Sequence, residues 1–219
     1  MQLRREDNLR EGDLIRVITY VDGFNLYFGL KSKGFKKYYW LDLPALAGAL
    51  LKPGQELLHT HYFTTRIRLK GNNQPDVQRQ TLYLEALATR PQLSIHYGHY
   101  LQKNRQCRSC GAHWADFEEK MTDVNMATQL LSDAFDDAFD TAMLVSADSD
   151  LTTPVVRLRQ RFPNKRIIVV LPPGRQSVEL TRAANGYFHI GEDKLRHCQL
   201  PSHVTRADGY TLQCPAHWK

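Results

Sequence analysis

An α/β fold, with a parallel sheet covered by helices on both faces, is what this sequence predicts, and three observations predict it. Short β-branched and apolar runs alternate with longer segments of helical periodicity along most of the chain. The strongest runs, LIRVITYVD at 14–22, TAMLVSA at 141–147 and RIIVVL at 166–171, are rich in apolar residues, as strands buried on both faces must be. Two of these runs lead directly into aspartates, Asp22 and Asp148.

The elements can be justified in order. The run at 14–22 is a strand ended by Gly23, and helices follow at about 24–32 and 42–51. Residues 57–66, LLHTHYFTTR, alternate enough for a second strand, and Asn72-Asn73-Gln74-Pro75 then breaks the chain before a helix at 75–89. The third strand is 93–100, LSIHYGHY, and a Cys-containing loop occupies 102–117. A helix at 122–137 gathers Ala127, Leu130, Leu131, Ala134 and Ala138 on one stripe. A strand at 141–147, a helix at 150–162, a strand at 166–171 and a helix at 176–184 complete the alternation. After Pro201 the chain is polar and irregular, ending in Cys214-Pro-Ala-His-Trp218. The expected organisation is a lead at 1–13, one domain at 14–192 carrying the short Cys-bearing insertion, and a tail at 193–219 packed on that domain.

Composition narrows the classes. A chain of 219 residues with 42% hydrophobic content suits one core. No run of eighteen uncharged apolar residues occurs, and MQLRREDNLREGD has no apolar stretch behind its basic residues, so neither a membrane helix nor a cleavable signal is expected. Four cysteines are too few for a disulfide scaffold, which points to a reducing cytoplasm. The net charge of +6 and pI near 9.2 suit a phosphate-rich partner.

The acidic residues carry the chemistry. Ligands of doubly wound sheets bind beyond the carboxyl ends of the strands, where successive connections go to opposite faces. If the strands run 3-2-1-4-5, Asp22 and Asp148 converge there, and Asp150 can turn into the same cleft from the next helix. Asp123 precedes Ala127, Leu130 and Ala134 on the apolar stripe of its helix, so its charge needs a partner. Each residue also has an ordinary reading: Ser149 or Asp150 as a helix cap, Asp123 as a first-turn acid behind a Thr122 cap. Several carboxylates in one cleft repel one another, and a hard divalent cation, Mg²⁺ or Mn²⁺, is the simplest way to keep them ionised together. Metal-assisted phosphodiester hydrolysis is the chemistry that follows.

Three blocks, Tyr20-Val-Asp-Gly-Phe-Asn25, Lys120-Met-Thr-Asp-Val-Asn-Met-Ala127 and Ser146-Ala-Asp-Ser-Asp-Leu151, together resemble the NYN domain family, particularly its bacterial LabA-like branch, over about residues 14–192. That resemblance implies a PIN-like (Rossmann-like) fold and metal-dependent cleavage of RNA. It puts Asp22, Asp123, Asp148 and Asp150 at the acidic metal-site positions, with Asn25 and Ser146 at the polar positions beside them. A module that binds RNA without turnover stays open, as does a nucleotide or phosphoprotein phosphohydrolase, although Asp-x-Asp there usually follows the first strand.

Other signals are secondary. Lys31, Lys33, Lys36 and Lys37 precede Tyr38-Tyr39-Trp40, a basic run beside aromatics suited to gripping phosphates and stacking bases, or equally a solvated loop over packed rings. Arg175, after Pro172-Pro173-Gly174, lies on the carboxyl edge and could meet a substrate phosphate. Cys107-Arg-Ser-Cys110-Gly111 has the form of half a zinc knuckle; structural zinc, a reduced pair and a redox pair are the readings left open, with His99, His113, Cys198 and Cys214 as further ligand candidates. The histidines at 59, 61, 96 and 99 read as half-buried strand residues.

Overall fold

The computed structural model describes residues 14–218, so the expected lead at 1–13 lies outside the described residues. The central sheet holds β1 (Ile15–Asp22), β2 (Gln55–Thr64), β3 (Leu93–Tyr97), β6 (Thr141–Val145), β7 (Arg166–Leu171) and β8 (Gly186–His189). Its order is β3-β2-β1-β6-β7-β8 and every pairing is parallel. The 3-2-1-4-5 expectation holds for the five strands foreseen, and β8 adds a sixth at the edge. Four residues, GYFH, are too few to show a periodicity, which is why that strand was not foreseen.

Alternation along the strands divides the core. Val17 and Val21 of β1, Met143 and Val145 of β6 and Val170 of β7 face one way, against α1 (Gly23–Ser32), α2 (Leu43–Ala49) and α3 (Gln74–Leu87). Ile18, Tyr20, Ala142, Leu144, Ile167 and Val169 face the other, against α4 (Thr122–Phe135), α5 (Thr152–Arg161) and α6 (Val178–Ala183). Met126, Leu130 and Ala134 form the buried stripe of α4. Each fully buried leucine contributes about 1.5–3 kcal/mol from lost apolar exposure, so the two clusters hold the sheet from both sides.

Three expectations need correction. The 102–117 loop is an antiparallel ribbon, β4 (His99–Gln106) with β5 (His113–Lys120), and the Cys-x-x-Cys turn forms its tip. Residues 102–106, QKNRQ, are polar throughout, and the apolar Trp114, Ala115 and Phe117 of HWADFEEK do not alternate, so neither segment offers a strand pattern to read. Gly98, between β3 and this ribbon, ends the strand expected to reach residue 100. The segment after Pro201 also contains a short hairpin, β9 (His203–Thr205) with β10 (Thr211–Gln213), preceded by α7 (Glu192–His197).

The histidines of β2 and β3 are satisfied beneath α4. His61 Nδ1 lies 2.9 Å from His96 Nε2 and its Nε2 lies 3.4 Å from Asp133 Oδ2. The Tyr20 hydroxyl donates to the same Asp133 oxygen at 2.6 Å, and His59 Nε2 lies 2.8 Å from Ser94 Oγ. Cys198 and Cys214 belong to the apolar core, away from the metal-ligand role considered for them.

Candidate metal centre

The chain moves outward from β1 to β2 and β3 in one direction and from β6 to β7 and β8 in the other, so the switch point lies between β1 and β6. Asp22 is the last residue of β1 and the N-cap of α1. Its Oδ1 accepts from the Asn25 backbone N–H at 2.9 Å, and its Oδ2 accepts from Asn25 Nδ2 at 2.6 Å and Ser146 Oγ at 2.8 Å. Three of its four acceptor sites are thus used, and one remains. Asp22 is 2% exposed, and burial raises its carboxyl above the usual range. The hydrogen bonds from Asn25 and Ser146 oppose that rise, while the nearby Asp148 charge adds to it. A buried carboxylate under this tension is stabilised by a cation.

Asp148 caps a short 3-10 turn at Ser149–Leu151, its Oδ1 accepting from the Asp150 N–H at 2.9 Å. Asp148 N in turn donates to Ser146 Oγ at 3.0 Å. Asp123 comes from the opposite direction, in the first turn of α4. The cap of that helix is Met121 rather than Thr122, and Met121 has φ 80°. A non-glycine residue in this left-handed region costs roughly 1–2 kcal/mol, and the strain stands two residues before Asp123.

One carboxylate oxygen from each of Asp22, Asp123 and Asp148 lies within 4.8 Å of the others. Three oxygen donors at that spacing fit a hard cation completed by water, as Mg²⁺ prefers. Asp150 does not join the group: it is exposed, and its backbone rather than its carboxylate is tied to Asp148.

A cavity of about 460 Å³ runs along α1, the helix that Asp22 caps. Gly23, the residue after Asp22, forms part of its wall with Phe24, Tyr27, Tyr39, Tyr62 and Trp218. A Cβ on Gly23 would stand 2.7 Å from the Phe63 carbonyl oxygen and 2.9 Å from Tyr62, so only glycine lets α1 start this close to β2. The helical spacing of Phe24, Tyr27, Phe28 and Lys31 would have revealed the aromatic face of α1, but such a stripe reads as core until Leu26 and Leu30 are seen to take that role.

The basic residues divide. Lys36 reaches the cavity, whereas Lys37 pairs with Glu192 at 3.4 Å and covers the Tyr38 ring. Tyr38 and Trp40 are buried and Tyr39 faces the cavity, so the aromatic run is mostly packing. Arg175 sits in the turn after β7, its Nε buried without a hydrogen-bond partner among the described residues. At the ribbon tip, backbone N–H groups of Cys110 and Ser109 hold the Cys107 thiol below its usual range, with Gly111 at φ 72° closing the turn. Among the described residues no third His, Cys, Asp or Glu completes a compact ligand group with Cys107 and Cys110.

The family model for the NYN domain matches residues 16–192, which contain the whole acidic group. This chain belongs to the NYN domain family. Its sheet order and two helical layers are those of a PIN-like α/β fold. The chain is 27% identical over 230 residues to 6-hydroxy-3-succinoylpyridine 3-monooxygenase HspA of Pseudomonas putida, covering 87% of this chain and 72% of that protein. It also resembles the crystal structure of a protein of unknown function from Vibrio parahaemolyticus, with a TM-score of 0.53 and 20% identity over 84% of this chain and 98% of that one, a likeness of fold. No described helix of the NYN domain or its flanks is long and apolar enough to cross a membrane.

Proposed function

We propose that this chain is a divalent-metal-dependent ribonuclease that hydrolyses RNA phosphodiester bonds. The observation that carries the reading is the meeting of Asp22, Asp123 and Asp148 at the switch point of the sheet. A bound Mg²⁺ or Mn²⁺ would activate water for attack on phosphorus and neutralise charge on the leaving oxygen. The three aspartates would hold that ion. Asn25 and Ser146 fix the Asp22 carboxylate through three hydrogen bonds, which leaves its remaining lone pair aimed for the ion rather than free to rotate. Asp150, exposed and two residues beyond Asp148, is assigned to hold a second water or take a proton from it. Lys36 and Arg175 are assigned to phosphates flanking the scissile bond, and Lys37 supports Lys36 by tying its turn to Glu192.

The test is cleavage of labelled RNA and DNA strands with Mn²⁺, Mg²⁺ or EDTA, using wild type and Asp148→Asn. Cleavage restricted to RNA, dependent on metal and lost in the variant supports the reading. RNA binding without turnover under every metal condition would leave a binding module instead.

A second reading rests on the aromatic cavity beside Asp22. The Pseudomonas relative is named for chemistry on a pyridine ring, and a small heteroaromatic substrate would suit these walls. Calorimetry with hydroxypyridines and with RNA separates the two. Structural zinc on Cys107 and Cys110 is a separate proposal, answered by metal analysis of the purified chain.

A further inference from the structure

The metal centre accounts for the acidic residues and leaves the cavity along α1 unexplained. Its volume, about 460 Å³, lies within the range of roughly 300–1,000 Å³ usual for small organic ligands. The walls are rich in aromatic residues, and these are not all consumed by packing: Tyr27 is 42% and Phe28 44% exposed. Exposed aromatic side chains that adjoin one another, as Tyr27 and Phe28 do at 5.3 Å between ring centroids, are the kind of surface that ligand-binding grooves present. These two belong to α1, whose N-cap is Asp22, so they stand about one and a half helical turns from the candidate metal centre. Tyr27 and Tyr39 meet at 5.2 Å between ring centroids with their planes tilted by 49°, so that they form an aromatic corner.

Two polar features bear on the ligand, besides Asn73, Gln80 and the Asp76–Arg79 ion pair farther along the wall. The Tyr39 hydroxyl is buried without a hydrogen-bond partner among the described residues. Burial pushes that group up to about 12, so it stays protonated and able to donate at neutral pH. Lys31 Nζ stands 5.8 Å from the Tyr27 ring centroid and, with Lys36, puts positive charge on the cavity wall. Aromatic faces, one buried donor and adjacent cations match an unstacked base joined to a phosphate. They match a peptide or lipid chain less well, because neither offers a flat face together with an anion at one sugar's distance.

We propose that this cavity is the subsite for one unpaired nucleobase of the RNA strand, stacked on Tyr27 with Tyr39 closing the corner and its hydroxyl facing the base edge, and with the adjoining phosphate held by Lys31 and Lys36. The assignment rests on the ribonuclease reading and gives that reading a substrate form: single-stranded rather than paired RNA. Base identity is read weakly, since stacking tolerates every base.

The experiment measures binding of the full chain in EDTA to a short oligouridylate, to its abasic ribose-phosphate analogue and to free uracil, by fluorescence anisotropy with uracil as competitor. Wild type should prefer the oligouridylate over the abasic strand by about five-fold or more, the lower bound expected from one stacked base. Tyr27→Leu and Tyr39→Phe should shrink that preference while leaving abasic binding unchanged. Tyr27 is half outside the core, so its replacement tests the surface rather than folding. Mn²⁺ binding to the aspartates should be unchanged in both variants. Equal affinity for the two strands overturns the base subsite even if metal-dependent cleavage is found. A base preference that depends on Tyr27, in a protein that never cleaves RNA, upholds the subsite and removes the nuclease reading. Free uracil competing as well as the oligouridylate overturns the strand-bound assignment in favour of a small-molecule pocket.

Discussion

Ser146 Oγ donates to Asp22 Oδ2 at 2.8 Å while accepting from the Asp148 N–H at 3.0 Å, so one buried hydroxyl joins the ends of β1 and β6 and sets both aspartates. Ser146→Ala removes this link without removing a metal ligand. We expect metal affinity or cleavage to fall about 10–100-fold, as for other groups that orient a ligand from behind. Mn²⁺ titration by calorimetry checks it, and affinity within two-fold of wild type would refute the role.

Asp148 and Asp150 are two residues apart, and the structure treats them differently. Asp148 lies in the three-carboxylate group and Asp150 outside it. Asp148→Asn should lower turnover by orders of magnitude with the fold intact, because water activation and leaving-group stabilisation both depend on the ion. Asp150→Asn should cost much less. Single-turnover rates at saturating Mn²⁺ decide, and the reverse ranking would move the metal site outward.

Gly23 and Gly48 both begin or lie in helices, yet their replacement by alanine should have opposite signs. The new Cβ at residue 23 meets a backbone oxygen at 2.7 Å, whereas at residue 48 it meets nothing within 4 Å. Gly23→Ala should destabilise by about 1–3 kcal/mol, as overpacking does. Gly48→Ala should stabilise by about 0.4–1 kcal/mol, by restricting the unfolded chain. Urea denaturation of the two variants against wild type tests the pair.

His59 and His96 should make stability depend on pH below neutrality. Burial, then the neighbouring His61, lowers the pKa of each below the ordinary 6.5. The unfolded chain therefore takes up these protons first as pH falls, and stability, complete above about 6.5, declines through the window below it. Asp133 opposes this in part, and the buried Asp22 carboxyl acts in the other direction. The comparison of wild type with His96→Gln isolates the effect: the urea midpoint of the variant should fall less between pH 7.5 and 5.5. Parallel curves would show that His96 does not titrate differently on folding.

The sequence by itself determined the layered fold and the acidic blocks. Strands such as RIIVVL can be stable only between two apolar layers, and a chain that alternates them with helices has few ways to arrange a parallel sheet. Asp22 and Asp148 were legible because a strand's end is a position on the sheet's edge. The tertiary structure alone decided which carboxylates come close enough to share an ion: Asp123 comes from a helix a hundred residues after Asp22, and Asp150 falls outside although it is only two residues from Asp148 in sequence. It also decided that the segments around the cysteines, which show no hydrophobic alternation, pair as a ribbon, since backbone hydrogen bonds leave no trace in side-chain polarity. The cavity is the clearest case. Phe24, Tyr27, Tyr39, Tyr62 and Trp218 are spread along the chain, and whether a ring packs in the core or lines an open wall depends on which neighbours arrive to cover it, which no local pattern records.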